Sequence, residues 1–225
     1  MEFILDTADL EAVKQLDELL TIDGVTTNPA IITRSGKQPE QVIKEFVEYL
    51  RPEQKFFVQV VSTDYEQMLE EARYICGLRP KNTYAKIPVT HNGYKAIKQL
   101  KSEGLGVLAT AIYSANEAFL AAMNGADYLA PYVSRMYGDG VGQVRDLLQM
   151  LETQEFKNTK VIAASFRSAE QVHALIAAGI QSVTVPPEIV YTMMNHRGTK
   201  IAVEEFSAAW REAYGRDTLL NRSGF

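Results

Sequence analysis

Short apolar runs and helix-period stripes alternate along the whole chain. The first run, Phe3-Ile4-Leu5, stops at Asp6. Asp9 then caps a stripe of Leu10, Val13, Leu16, Leu19 and Leu20 at helical spacing. Gly24-Val25-Thr26-Thr27-Asn28-Pro29 reads as a second strand and its exit, because a residue before proline favours extended backbone. A loop through Ser35 to Pro39 leads to a helix bearing Val42, Ile43, Phe46, Val47 and Leu50. Further strands are predicted at Phe56 to Val61, Thr83 to Val89, Gly106 to Ile112, Ala126 to Tyr132, Lys160 to Ser165 and Ser182 to Pro186. A helical stripe follows each of them. A last amphipathic segment carries Ile201, Val203, Phe206, Trp210 and Tyr214.

Eight strand–helix units of about 20 to 30 residues each match the βαβ unit. No linker rich in proline, glycine or serine separates them. The prediction is an α/β protein, a (β/α)₈ TIM barrel, as a single domain over residues 1–225. A doubly wound open sheet is the other arrangement such alternation allows, but no glycine-rich dinucleotide fingerprint follows the first strand. The segment 199–215 is surplus to a barrel. Its Phe206, Trp210 and Tyr214 fall at i, i+4 and i+8, an aromatic stripe suited to the barrel wall or to a neighbouring subunit.

Composition narrows the chemistry. Hydrophobic residues make up 46% of the 225 and charged residues 23%, with a net charge of −5. That acidic balance disfavours a nucleic-acid surface and leaves room for a local basic pocket. The one cysteine, Cys76, permits no intrachain disulfide, which fits a reducing compartment. No window reaches the roughly twenty apolar residues of a membrane span, and the first residues carry no secretory signal. A soluble, cytoplasmic protein without membrane partners is expected.

The stretch Thr83-Tyr84-Ala85-Lys86-Ile87-Pro88-Val89 stands out. Tyr84 and Lys86 share one face of this strand. Parallel strands are covered on both faces, so Lys86 is predicted to be at least partly buried. An ammonium deprived of water and of a paired acid loses basicity, and the free amine attacks carbonyls to give a Schiff base. Other polar residues sit at strand ends: Asp6, Thr26, Asn28, Gln59, Thr110, Tyr132, Arg135, Ser165 and Arg167. Each alone is an ordinary cap or loop residue. In a barrel they converge on one rim. There Asp6 supplies a carboxylate for proton transfer, and Arg135, Arg167 and Ser165 form a patch suited to phosphate oxygens. His91, His173 and His196 are far apart, and no His-Glu-x-x-His or paired-cysteine motif exists, so no metal site is expected. No Walker A loop and no Gly-x-Ser-x-Gly elbow is present.

These residues are recognisable together. Leu5-Asp6-Thr7, Gly24-Val25-Thr26-Thr27-Asn28-Pro29, Lys86-Ile87-Pro88-Val89-Thr90, Leu108-Ala109-Thr110-Ala111-Ile112-Tyr113, Ala130-Pro131-Tyr132-Val133 and Ala163-Ala164-Ser165-Phe166 resemble the transaldolase family, and within it the fructose-6-phosphate aldolase subgroup. The resemblance implies Lys86 as the Schiff-base lysine and Asp6 as the carboxylate that contacts a dihydroxyacetone unit. It implies that Thr26, Asn28 and Ser165 line the same pocket, and that Arg135 and Arg167 meet the sugar phosphate. Transaldolases carry glutamate where this chain has Gln59, asparagine where it has Leu108, and usually phenylalanine where it has Tyr132. By that likeness Gln59, Thr110 and Tyr132 hold a proton-moving water, as in the aldolases. Arg167 departs toward the transaldolases, and the loop after Arg135 is short. The implied activity is reversible cleavage of fructose 6-phosphate without a cofactor. The alternative is transfer of a dihydroxyacetone unit between sugar phosphates, in the pentose phosphate pathway. The resemblance also implies a homo-oligomer, a decamer of ring-shaped pentamers joined through the last helix.

Overall fold

In the computed structural model, which describes residues 1–220, the predicted strands close into a ring. They are β1 (Glu2–Asp6), β2 (Gly24–Thr26), β3 (Lys55–Gln59), β4 (Thr83–Pro88), β5 (Val107–Ile112), β6 (Tyr128–Pro131), β7 (Lys160–Ala163) and β8 (Ser182–Val185). All pair in parallel and in chain order, and β1 closes on β8 with Ile4 opposite Thr184. The helices between them are α1 (Leu10–Leu19), α2 (Pro29–Ser35), α3 (Pro39–Tyr49), α4 (Tyr65–Gly77), α5 (His91–Ser102), α6 (Ala115–Met123), α7 (Gly140–Thr153) and α8 (Ala169–Ala177). After β8 come α9 (Pro187–Met194) and the additional α10 (Arg197–Tyr214). This is the (β/α)₈ barrel, and the open sheet is excluded by the closure of β1 on β8.

Sequence pattern missed one helix. Residues 29–35, read as a strand exit and loop, form α2, with Pro29 at its start and the Asn28 side chain accepting from Ile31 N–H at 3.0 Å. Two turns with one buried side chain, Ile32, give too short a stripe to register.

Contacts divide the chain into two units, Met1–Ile189 and the part from Val190 on. In the first, outward strand residues such as Leu5, Phe56 and Ile87 are buried beneath the helices, where Phe46 of α3 meets Phe56 with ring centroids 5.6 Å apart. Inward residues Ile4, Phe57, Leu108, Tyr128 and Ile162 fill the barrel. Phe57 stacks on Tyr84 at 4.9 Å, and Tyr128 meets both edge-on. Below them Glu2 accepts from Tyr128 Oη at 3.1 Å and from Lys160 Nζ at 2.6 Å. The barrel is therefore plugged at the end where its strands begin, and side chains are free to line a cavity only at the other end. The end of β4 is fixed by α5: Thr90 caps that helix, and Gly93 lies so close that a Cβ would stand 1.8 Å from the Pro88 carbonyl oxygen.

In the second unit, α10 sets the rings of Trp210 and Tyr214 in tilted contact, centroids 4.5 Å apart, and ties Arg211 to Asp217. Val203 and Phe206 are 55% and 71% exposed. Among the described residues no helix is long and apolar enough to cross a membrane.

Candidate active site

The strands deliver their last side chains to a cavity of about 460 Å³ at the C-terminal mouth of the barrel. Asp6 of β1, Asn28 after β2, Gln59 of β3, Lys86 of β4, Tyr132 and Arg135 after β6 and Ser165 after β7 all line it. Seven of the ten predicted site residues thus line one cavity. Thr26 and Thr110 stand behind it, closed to solvent, and each bonds a lining residue. Arg167 lies outside the lining. Its side chain is exposed at the foot of α8, where its backbone N–H meets Gln171.

Lys86 follows from period-2 geometry. Tyr84 points into the plug, so Lys86, two residues on, points the same way one layer higher. It is 4% exposed. Its Nζ donates to the main-chain carbonyl of Thr27 at 2.8 Å, and no ion pair among the described residues involves it. Burial pushes its pKa below the ordinary lysine value, only partly opposed by the charge of Asp6. A free amine is accordingly accessible nearer neutrality, facing the cavity.

Asp6 is shifted the opposite way. Burial raises its pKa, while Lys86, the hydrogen bond from Thr26 and the charge of Arg34 oppose the rise, and Glu188 adds to it. Thr26 Oγ1 donates to Asp6 Oδ1 at 2.7 Å. Across the pocket Tyr132 Oη lies 3.2 Å from Thr110 Oγ1. Burial raises the Tyr132 pKa, so at neutral pH it is a phenol with a proton to give. Gln59 Oε1 is a buried acceptor with no protein partner among the described residues. Asn28 gives its Oδ1 to the α2 cap and keeps its amide N–H groups for the cavity. Ser165 Oγ lies 3.2 Å from Ser134 Oγ.

Two backbone kinks aim this wall. Ala111 and Ser165 have φ of 57° and 59°, and the β5–β6 register shifts between Ala109 and Ile112. Non-glycine residues in that region are strained, and such strain concentrates at functional rims. No glycine marks either position, so pattern reading gives no warning of them.

The structure adds Arg34 to the candidates. It lines the cavity from α2, the helix that sequence pattern missed. A buried amine, with an acid, a phenol and exposed guanidinium groups around the same cavity, provides for carbonyl condensation, proton transfer and anion binding.

The family model described as Transaldolase/Fructose-6-phosphate aldolase matches residues 3–221. The chain belongs to the transaldolase/fructose-6-phosphate aldolase family. That membership makes it an enzyme of aldolase or transaldolase type acting on sugar phosphates. Solved structures agree on the fold. A mutant flavocytochrome b2 with benzoylformate matches at TM-score 0.60 and 13% identity, over 83% of this chain and 57% of that one. The chain thus spans just over half of the flavocytochrome. A native KDPGal structure matches at 0.54 and 22%, over 81% and 80%. A putative fructose-1,6-biphosphate aldolase from Coccidioides immitis matches at 0.55 and 12%, over 82% and 73%. At these identities the likeness is one of barrel architecture alone.

Proposed function

We propose that this member of the family is a class I aldolase that cleaves fructose 6-phosphate to dihydroxyacetone and glyceraldehyde 3-phosphate. Lys86 Nζ attacks the C2 ketone, and the carbonyl oxygen leaves as water. The resulting iminium accepts the electron pair of the C3–C4 bond as the C4 hydroxyl gives its proton to Asp6. Glyceraldehyde 3-phosphate departs, and an enamine stays on Lys86. A proton then reaches the enamine carbon, water adds to the iminium, and dihydroxyacetone is released. The lysine adduct is its own electron sink, so the steps require no cofactor.

The fate of the enamine separates cleavage from transfer. The observation that carries the lyase reading is the phenol of Tyr132, bonded to Thr110 and lining the same cavity as Lys86. A water held among Gln59, Thr110 and Tyr132 supplies the proton that ends the cycle, which a phenyl ring cannot do. Asn28 and Ser165 orient the donor unit, Thr26 steadies Asp6, and Arg135 receives the phosphate, with Arg167 free to swing in from the rim.

Borohydride reduction in the presence of dihydroxyacetone tests the chemistry. A mass adduct is expected on the peptide containing Lys86, and its absence removes the Schiff-base mechanism. Cleavage and transfer are then assayed on one preparation. Formation of sedoheptulose 7-phosphate outpacing fructose 6-phosphate cleavage would make the protein a transaldolase.

A further inference from the structure

Behind Asp6 runs a chain of hydroxyls that reaches strand β8. Thr26 Oγ1 donates to Asp6 Oδ1 at 2.7 Å and lies 2.7 Å from Thr184 Oγ1. Register accounts for the meeting. Thr26 pairs with Asp6, and Thr184 pairs with Ile4, so all four face inward from three neighbouring strands. Thr26 and Thr184 are 0% and 2% exposed, so solvent does not compete for either hydroxyl.

A hydroxyl has one proton. That of Thr26 goes to Asp6, so in the second contact Thr184 is the donor. The chain therefore has a direction, Thr184 to Thr26 to Asp6, ending on one carboxylate oxygen. Both links are short, as in strong O–H···O bonds. Each donation polarises the next, and a donor behind Thr26 keeps its proton aimed at the carboxylate.

We propose that Thr184 is a positioning residue for the reaction: its hydroxyl orients Thr26, which holds Asp6 as an ionised acceptor with the second carboxylate oxygen turned to the substrate. The proposal rests on the proton-accepting role given to Asp6 above. Thr184 is not among the residues that line the cavity, and the amine of Lys86 donates to the Thr27 carbonyl instead. The charged groups that act on Asp6 are Lys86 from β4, Arg34 from α2 and Glu188 from the first turn of α9; Tyr132, just after β6, feels its charge in return. The hydroxyl of Thr184 is joined to Asp6 by way of Thr26, so its removal perturbs Asp6 through that hydroxyl.

The test compares Thr184→Val with Thr184→Ser by the pH dependence of fructose 6-phosphate cleavage. Without the Thr184 hydroxyl the carboxylate is less well stabilised, so the acid limb of kcat/KM is expected to move to higher pH. On that limb the valine variant should lose about three- to tenfold, and serine should restore the wild-type profile. In a Thr26→Val background, where the chain is already cut, Thr184→Val should add less than about twofold. Thr184→Cys, a weak donor of similar size, carries the same comparison if valine does not fold. A valine or cysteine variant whose acid limb superimposes on that of wild type overturns the proposal. So does full additivity with Thr26→Val. Borohydride trapping separates the two layers: an adduct on Lys86 with an unmoved acid limb ends the role of Thr184 alone, whereas no adduct in the wild type ends the aldolase reading beneath it.

Discussion

A lysine that stabilises a fold and a lysine that attacks a ketone want opposite surroundings. Lys86 has the second kind, with a main-chain carbonyl for company and no paired acid. Its pKa is lower in the folded protein than the usual 10.5. Between those two values the unfolded chain holds a proton that the folded one has lost, so its contribution to stability rises with pH through that window and is unfavourable below it. Asp6 is raised above 3.8, so between 3.8 and its folded value the folded state holds the proton, and stability falls as pH rises there. Lys86→Met is therefore expected to raise stability at pH 7 by about 1–3 kcal/mol while lowering cleavage by about a thousandfold or more. Thermal unfolding and turnover on one sample check both halves. A lower Tm would mean that the amine is better solvated than its burial indicates. Tyr132→Phe is expected to shift the partition between transfer and cleavage toward transfer by at least about tenfold, measured from the two products of one reaction. An unchanged ratio would take the proton-donor role from that phenol. Lys86 was legible in sequence because alternation placed it above Tyr84. Arg34 and Thr184 were not: one lies on a helix too short to show a stripe, and the other alternates with valines in β8 just as Ser182 does. Its partner becomes visible only when β8 closes on β1.

Elements hold these side chains by close backbone contact rather than by bulk. The last residues of β4 lie against the first turn of α5, where Thr90 Oγ1 accepts from Gly93 N–H at 3.0 Å. Gly93→Ala would drive a Cβ into the Pro88 carbonyl and is expected to cost about 1–3 kcal/mol, whereas Thr90→Ala, a lost cap, costs about 1 kcal/mol. Denaturant titration should rank them in that order. If alanine at 93 is neutral, the β4–α5 junction is softer than its contacts imply. At this scale sequence reading did well wherever hydrophobic period was long: each of the eight strands overlaps a predicted run, with β1 and β3 beginning one residue earlier than predicted. It failed at α2 and at the kinks of Ala111 and Ser165. A positive φ at alanine or serine is imposed by the surrounding barrel, so no residue type announces it.

The whole molecule has a barrel with one working mouth and a terminal helix whose apolar side chains face water. Val203 and Phe206 together present an apolar stripe on α10, and we expect it to be covered by another copy of the chain. A protein truncated before Lys200 should therefore show a lower mass by light scattering than the full chain. Equal masses would remove α10 from assembly. Closure of the ring has a consequence for biosynthesis. β1 leaves the ribosome before the other strands of the ring, and β8, which completes its pairing, leaves after all of them. Until then Lys86 is wetted and charged, as any surface lysine is. If Lys86 is the proposed Schiff-base lysine, an amine able to condense with free aldehydes would be a hazard on a nascent chain among metabolites, and closure of the ring would arm it only when synthesis of the barrel is finished.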